Sequence, residues 1–351
     1  MTNNKLNVLV VGAGAIGCLV GGQLAASGHL VTLLGRAKLV QTVKNNGLRL
    51  RWPNGSAQTL YPDAVENLND LSCLAEVDLV LFTVKSFDTA EAARALAGKL
   101  SPGARVLSLQ NGVGNEEILA KLLPQQTIVA GSITLPVELP QVGTVVVSKD
   151  KGGIGVAPVS RGAETADIVE MLREAGFTVA GYADYRSLKW SKLLMNIISN
   201  AASAILDMPP GESTAHACIF NLELAAMRET IAVMRAQGVK VVALPSYPLP
   251  ALAKALRWLP NFALRPLLRP ILIGGRGDKL PSLQLELRRG RNQSEVTVLN
   301  QAVASAAQKA GVSAPVNKKL SEILQGIVAG KIPWQTYRGN PEMLCAENSE
   351  Q

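Results

Sequence analysis

Residues 6–17 read LNVLVVGAGAIG, and this stretch decides the fold. Its apolar, β-branched run predicts a buried strand, its G-x-G-x-x-G pattern predicts a tight turn, and residues 15–26 are predicted to form the helix that follows. Gly12 permits the turn, Gly14 leaves room for a pyrophosphate beside the backbone, and Gly17 lets the helix pack closely on the sheet. A plain glycine-rich turn would not require this spacing. We therefore expect a dinucleotide site, with the anion facing the helix start, at Gly12, Ala13, Gly14, Ala15, Ile16 and Gly17.

The end of the second predicted strand, residues 30–34, indicates which dinucleotide binds. An NAD site usually carries Asp or Glu about 20 residues past the glycine loop, where the carboxylate holds the ribose 2′-hydroxyl. This chain carries Arg36 there, with Lys38 close by. A guanidinium binds a phosphate through two parallel hydrogen bonds, so the pattern predicts NADP(H). The alternative is a solvated surface arginine.

Length and composition set the class of protein. The chain has 351 residues, of which 48% are hydrophobic and 18% charged, which is typical of a globular protein with two domains. Its four cysteines are scattered and it has two histidines. These numbers support neither a disulfide framework nor a metal site, and they argue against a histidine-dependent hydrolase.

Charge and hydropathy indicate the surroundings of the protein. No run of 18 apolar residues is present, so stable membrane insertion is not expected, and we expect a cytoplasmic protein. The net charge is +8, and residues 235–276 hold seven basic residues and no acid. That stretch lacks the motifs of nucleic-acid binders, so no nucleic-acid partner is expected.

The order of predicted elements divides the chain into an α/β half and a helical half. Strands alternate with helices over residues 1–182, which predicts a Rossmann-type, doubly wound parallel sheet. Hairpins are predicted at residues 48–60 and 144–156. An all-helical domain is expected over residues 183–335, with helices at 184–206, 212–237, 283–289, 295–310 and 314–328, an insert at 239–279, and an irregular tail at 336–351.

Polar residues follow the predicted strands and mark one helix of the second half. Ligands of open α/β sheets bind at the carboxyl ends of strands, where Gly12, Lys85 and Asn111 are expected. On the predicted helix 184–206, Lys192 and two asparagines recur every four residues and would share one face. They could line a pocket for a polar substrate, or they could form a solvated stripe. Glu295 begins another predicted helix, where an acid is also favourable for the helix dipole alone.

Together these motifs resemble the ketopantoate reductases (2-dehydropantoate 2-reductases). The resemblance spans residues 6–325 and rests on the glycine loop, Arg36, residues 83–85, residues 110–114, the Lys192 helix, Ser282 and Glu295. It implies a cleft between two domains that binds NADPH and a small 2-keto acid. It further implies that Lys192 donates the proton and Glu295 assists, that Lys85 and Asn111 contact the cofactor, and that the substrate contacts are Asn111, Asn196, Asn200 and Ser282.

The implied chemistry is consistent with these residue types. Hydride delivery to a 2-keto group builds negative charge on oxygen, which an ammonium stabilises and protonates. A related reductase of another keto acid and a non-catalytic NADP-binding regulator remain alternatives. Departures from the family pattern lie at Glu286, Thr297, Gln301 and the insert 239–279.

The insert is basic and rich in proline. A short helix is expected at residues 251–259, and the prolines at 245, 248, 250, 260, 266 and 270 are expected to prevent a longer one. A lid or a subunit contact, which leaves a homodimer open, is favoured for the insert over binding to an anionic membrane.

Overall fold

The computed structural model describes residues 5–71, 73–276 and 280–346, with only the backbone described for residues 270–276. Its chain divides into two compact units. One runs to Lys189 and includes Leu244–Tyr247, and the other comprises Trp190–Ala243 and the chain from Pro248 onward. The division falls within a helix, whereas the sequence predicts a boundary at residues 182 and 183.

The first unit is built on strands that alternate with helices. Its strands are β1 (Asn7–Val11), β2 (Leu30–Leu34), β3 (Leu48–Arg51), β4 (Ala57–Leu60), β5 (Asp63–Val65), β6 (Leu79–Phe82), β7 (Arg105–Ser108), β8 (Thr127–Ile133), β9 (Val137–Gln141), β10 (Thr144–Val147), β11 (Ile154–Pro158) and β12 (Val179–Gly181). Its helices are α1 (Ala15–Ala26), α2 (Ala37–Asn46), α3 (Thr89–Leu96), α4 (Asn115–Leu122) and α5 (Ala166–Glu174).

Among the described residues, eight strands form the main sheet in the order β12-β11-β8-β7-β6-β1-β2-β5. All neighbours pair in parallel except β8 and β11. Alternate residues of β1 pack on opposite faces: Val8 and Val10 belong to the core that includes α1, and Leu9 and Val11 belong to the core that includes Ala93 of α3. This is the doubly wound sheet that the sequence predicts.

A second, smaller sheet contains one of the two predicted hairpins, and the other predicted hairpin does not form. β3 and β4 pair in antiparallel fashion, as expected for residues 48–60, but they lie in a separate sheet of order β4-β3-β10-β9. The predicted hairpin at residues 144–156 is wrong, because β10 pairs with β9 and β3 whereas β11 pairs with β8. β10 forms its local turn with β9, which precedes it, and β11 pairs instead with β8. The apolar side chains of β10 and β11 are buried in the same core.

The second unit is helical. Helix α6 (Tyr185–Ile197) enters it, followed by α7 (Ala201–Leu206), α8 (Pro210–Ser213), α9 (Ala217–Ala236), α10 (Leu249–Trp258), α11 (Asn261–Arg276), α12 (Ser282–Arg288), α13 (Asn300–Ala310), α14 (Pro315–Val328) and α15 (Pro341–Ala346). Two expectations are wrong here. Helix α11 continues through Pro266, and α15 lies within the predicted irregular tail.

A disulfide joins Cys218 of α9 to Cys345 of α15, with their Cα atoms 6.1 Å apart. The expectation that the cysteines support no disulfide is therefore wrong, because the fold brings together two cysteines that are 127 residues apart. Cys18 is buried and Cys73 exposed, both as free thiols, and burial raises the pKa of Cys18 to about 12. In the part of the chain that the structure describes, no helix is long and apolar enough to cross a membrane.

Candidate functional site

The turn between β1 and α1 requires glycine at two of the three glycine positions of its G-x-G-x-x-G motif for steric reasons. Gly12 has a φ of +102°, and a Cβ there would lie 2.5 Å from the backbone nitrogen of Val84. A Cβ on Gly17 would lie 2.6 Å from both the Gly12 carbonyl oxygen and Thr83 Oγ1. The Thr83 hydroxyl also donates to that carbonyl at 2.7 Å. The turn is therefore clamped against the end of β6.

Gly14 differs from these two glycines because no neighbouring atom lies close to the position that a Cβ would occupy. It is exposed, and a Cβ there would meet only the Gly12 carbonyl oxygen, at 4.0 Å. Gly14 also precedes α1, whose first N–H groups have no carbonyl partner within the helix. This geometry forms a cradle that a Cβ would fill and that suits the pyrophosphate of a dinucleotide.

Arg36 lies beside this turn at the end of β2. The Ala13 N–H donates to the Leu34 carbonyl at 3.0 Å, which joins the glycine turn to β2. Arg36 and Lys38 are both exposed around the start of α2. Two cations thus stand next to the cradle, where a 2′-phosphate would need them.

A buried polar network joins the ends of β6 and β7, where Lys85 and Asn111 lie. The Gln110 side-chain amide donates to the Val84 carbonyl at 3.0 Å and to Thr89 Oγ1 at 2.7 Å. Thr89 donates to Asn115 at 3.1 Å, and the Asn115 amide donates to the Asn111 carbonyl at 3.0 Å. The network holds the Val84 carbonyl, which precedes Lys85, and the carbonyl of Asn111 itself.

Lys189 and Glu116 extend this network with an ion pair that is almost completely buried. Their side chains are 2% and 1% exposed, and Nζ lies 2.8 Å from Oε1. Lys189 also donates to the Gln110 carbonyl at 2.6 Å, and Ser108 donates to Glu116 at 2.8 Å. Sequence reasoning missed this pair. The available signal was a lysine between Leu188 and Trp190, three residues before Lys192.

Helix α6 carries Lys192 and Asn196, but Asn200 does not continue its face. The predicted helix 184–206 is wrong, because it breaks after Ile197 and resumes at Ala201. Ser199 in the break has a φ of +47°, and its N–H donates to the Glu223 carboxylate at 2.8 Å. The break is thus held by a buried acid from α9. Lys192 is 8% exposed.

Asn200 instead bonds to the start of α12. Its Oδ1 accepts from the Leu283 N–H at 3.2 Å, and its Nδ2 donates to the Asn196 carbonyl at 3.0 Å and to Ser282 Oγ at 3.4 Å. Three of the predicted substrate contacts, Asn196, Asn200 and Ser282, are therefore neighbours in the second unit. Asn200 is 4% exposed, and its bonds also give it a structural role between α7 and α12.

Glu295 is held by a second carboxylate. It is 3% exposed, and its N–H donates to Glu286 Oε2 at 3.1 Å. Ser294 donates to the same oxygen at 3.4 Å, and its hydroxyl accepts from the Val296 N–H. Residues 295–298 form a short 3₁₀ turn ahead of α13, so the predicted helix 295–310 begins later than expected.

Three of the departures from the family pattern make local hydrogen bonds. Glu286 orders the turn that presents Glu295, as the bonds above describe. Gln301 accepts hydrogen bonds from Ser321 at 2.9 Å and Gln325 at 3.2 Å, which tie α13 to α14. Thr297 donates to the Ser294 carbonyl at 3.1 Å.

In the described residues, no group of three or more His, Cys, Asp or Glu side chains is arranged to hold a metal ion.

Comparisons with known proteins match both units to one family. The model of ketopantoate reductase PanE/ApbA matches residues 8–161, and that of the ketopantoate reductase PanE/ApbA C terminal matches residues 184–328. The chain is 36% identical over 249 residues to the 2-dehydropantoate 2-reductase of Halobacterium salinarum, covering 67% of this chain and 77% of that protein. It is 27% identical to the enzyme of that name from Archaeoglobus fulgidus, covering 92% and 98%.

A solved structure gives the same result for the fold. The PanE/ApbA family ketopantoate reductase from Ralstonia eutropha JMP134 superimposes with a TM-score of 0.78 and is 31% identical in sequence. The match covers 92% of this chain and 99% of that one.

Proposed function

This chain belongs to the ketopantoate reductase PanE/ApbA family, and from that premise we propose that it reduces 2-dehydropantoate to pantoate with NADPH. The main support for this proposal is that the family models match residues 8–161 and 184–328. The matched spans include the glycine cradle, Lys85, Asn111, Lys192 and Glu295. The domain assignment is part of the proposal: residues 1–182 bind the cofactor, and residues 183–335 supply the substrate and catalytic groups. The cytoplasm is its proposed location.

The cradle supports the cofactor half of this proposal. Gly14 is open where a pyrophosphate would approach, and Arg36 and Lys38 are exposed beside it. Lys85 and Asn111 are the further proposed cofactor contacts. When bound, NADPH would supply a hydride to the keto carbon.

The second unit supplies the acid–base chemistry of the proposal. Lys192 polarises the keto oxygen and gives it a proton as negative charge develops there. Glu295 offsets the charge of this buried ammonium, because a buried charge without a counter-charge is costly. Asn196, Asn200 and Ser282 bind the polar groups of the keto acid, together with Asn111.

Steady-state kinetics test this assignment. We expect the purified protein to oxidise NADPH with 2-dehydropantoate in preference to a panel of other 2-keto acids. Lys192→Ala should lower kcat by about 10²–10⁴-fold with NADPH affinity retained, whereas Lys309→Ala, at an exposed position, should not change either.

Three outcomes would contradict parts of the proposal. Preference for another keto acid would keep the reaction and change the substrate. NADPH binding without turnover of any keto acid would favour a regulatory protein. Normal turnover by Lys192→Ala would remove Lys192 from the mechanism.

A further inference from the structure

The corner between α10 and α11, residues 257–262, exposes large apolar side chains. Trp258 is 67% exposed and Phe262 81%, with Leu259 at 37% and, one turn beyond the corner, Leu267 at 57%. Four of the eight exposed large hydrophobic side chains of the described residues therefore lie within ten consecutive positions. Scattered exposed side chains are normal, but such a cluster indicates a binding surface.

Hydrogen bonds hold the corner in this arrangement. Arg228 of α9 donates to the Leu256 carbonyl at 2.8 Å, the Leu259 carbonyl at 3.0 Å and Asn261 Oδ1 at 2.6 Å. Asn261 in turn donates to Asn221 of α9 at 2.9 Å. Because one guanidinium binds both sides of the turn, the exposure of Trp258 and Phe262 is built into the fold.

The surroundings of the corner are basic. Lys254 and Arg257 are exposed, and the Arg257 guanidinium lies 4.9 Å from the centre of the Trp258 ring. Lys254 and Trp258 share the outer face of α10, whereas Leu249 and Leu256 are buried on its inner face. No Asp or Glu occurs between residues 235 and 276.

Charge decides between the candidate partners. In a two-fold dimer the same patch contacts itself, which would bring these cations together. Single-stranded nucleic acid would use the aromatic rings for stacking but offers nothing for Leu259 and Leu267. An anionic bilayer suits both components, since its headgroups attract the cations and its interface accepts Trp, Phe and Leu side chains.

We propose that the corner is a docking surface for anionic phospholipid membranes, on which the protein binds peripherally through Trp258 and Phe262, in place of the lid or subunit contact that the sequence favours for the insert. This inference does not depend on the proposed enzymatic function. The basic side chains provide the attraction at a distance, and the apolar side chains enter the interface on contact.

Vesicle co-sedimentation of the full-length protein tests the proposal. We expect binding to vesicles of equimolar phosphatidylcholine and phosphatidylglycerol, weak binding to phosphatidylcholine alone, and loss of binding as salt screens the charges. Trp258→Ala/Phe262→Ala should weaken binding at least about tenfold, because two large apolar contacts are lost. Lys254→Glu should weaken it roughly tenfold or more, since one basic residue contributes about fivefold and its reversal doubles the change in charge.

Matched variants separate the corner from general surface properties. Tyr61→Ala removes another aromatic side chain that is 73% exposed, and Lys44→Glu reverses another exposed cation. Neither should change vesicle binding. Circular dichroism and an unchanged thermal unfolding curve establish that each variant is folded.

Several results would overturn the proposal. These are equal binding to both kinds of vesicle, no binding to either, or binding that survives Trp258→Ala/Phe262→Ala. A molecular mass that doubles in light scattering and reverts in this double variant would assign the corner to self-association. Tighter binding to a single-stranded oligonucleotide than to vesicles would assign it to nucleic acid.

Discussion

At the end of β2 the chain carries an exposed arginine where an NAD site carries a carboxylate. Arg36→Asp should weaken NADPH binding by roughly 1.5–3 kcal/mol, the contribution of a charge-assisted hydrogen bond, and should leave NADH affinity nearly unchanged. Fluorescence titration with both cofactors measures this, and Lys44→Asp is the control for a lost surface cation. Equal affinity of the unaltered protein for NADPH and NADH would contradict the assignment.

The buried pair of Lys189 and Glu116 is expected to position the backbone at Gln110, next to the predicted cofactor contact Asn111. Lys189→Met leaves the Glu116 carboxylate uncompensated and should lower the free energy of unfolding by about 3–5 kcal/mol. Glu116→Gln added to that variant removes the remaining charge and should recover most of the loss.

The same double variant separates positioning from stability. It lacks the ammonium that binds the Gln110 carbonyl, so NADPH should bind more weakly although the protein is folded. Thermal unfolding measures the stability of each variant, and cofactor titration of the same samples measures its NADPH affinity. Unchanged stability in Lys189→Met would show that the pair is dispensable.

At the scale of elements, two glycines of the turn between β1 and α1 have different roles. Gly12 is needed for folding, whereas Gly14 is needed for cofactor binding. Gly12→Ala adds a Cβ 2.5 Å from the Val84 nitrogen at a φ of +102°, so it should destabilise the protein by about 1–3 kcal/mol. Gly14→Ala meets only the Gly12 carbonyl oxygen, at 4.0 Å, so it should fold normally and lose NADPH affinity. Equal stability of the two variants would contradict this steric account.

Asp207, at the end of α7, predicts a pH dependence. Burial alone would raise its pKa, but hydrogen bonds from Gln284 and Arg288 and the charges of Arg288 and Arg338 lower the pKa below its usual value. A lowered pKa stabilises the folded state at neutral pH, and this contribution is lost as pH falls through the folded-state pKa. Asp207→Asn should therefore be less stable than the parent at neutral pH, and the difference should shrink in acid. Asp63→Asn is the exposed control, and a pH-independent difference would contradict the account.

Local patterns predicted the elements whose causes are local. The span of β1, α1 and β2 follows from an apolar run, three glycines and a second apolar run, and each agrees with the structure. The break at Ser199 was not predictable in this way, because helical periodicity continues through it and the acid that holds it, Glu223, lies on another helix.

The predicted site residues also divide into those that have a local sequence signal and those that do not. The G-x-G-x-x-G spacing predicts Gly12 and Gly17 locally, although a Cβ at either position would meet Val84 or Thr83 of a distant segment. The bonds from Asn200 to Ser282 and Leu283 span more than eighty residues and have no local signal. Lys189 looked like one more residue of a helix until the fold brought Glu116 and the Gln110 carbonyl to it.

On the scale of the whole molecule, the basic excess and the cysteines carry information that composition alone does not reveal. Seven basic residues between 235 and 276 supply most of the net charge of +8. The structure gives that stretch two helices, α10 and α11, with an exposed corner between them. Cys218 and Cys345 became partners only because α15 returns to α9.

This disulfide closes a loop of 127 residues within the helical unit. Cross-linking a long loop restricts the unfolded chain, so Cys218→Ser/Cys345→Ser should lower the free energy of unfolding of that unit by about 2–4 kcal/mol. The parent protein in a reducing buffer should behave like the double variant, whereas Cys73→Ser, which removes an exposed free thiol, should behave like the oxidised parent. NADPH affinity should be the same in all four samples, because the glycine cradle and Arg36 belong to the other unit. Because reducing compartments disfavour disulfides, thiol trapping in intact cells measures which form is present in vivo. Identical unfolding curves under oxidising and reducing conditions would mean that α15 is held by packing alone.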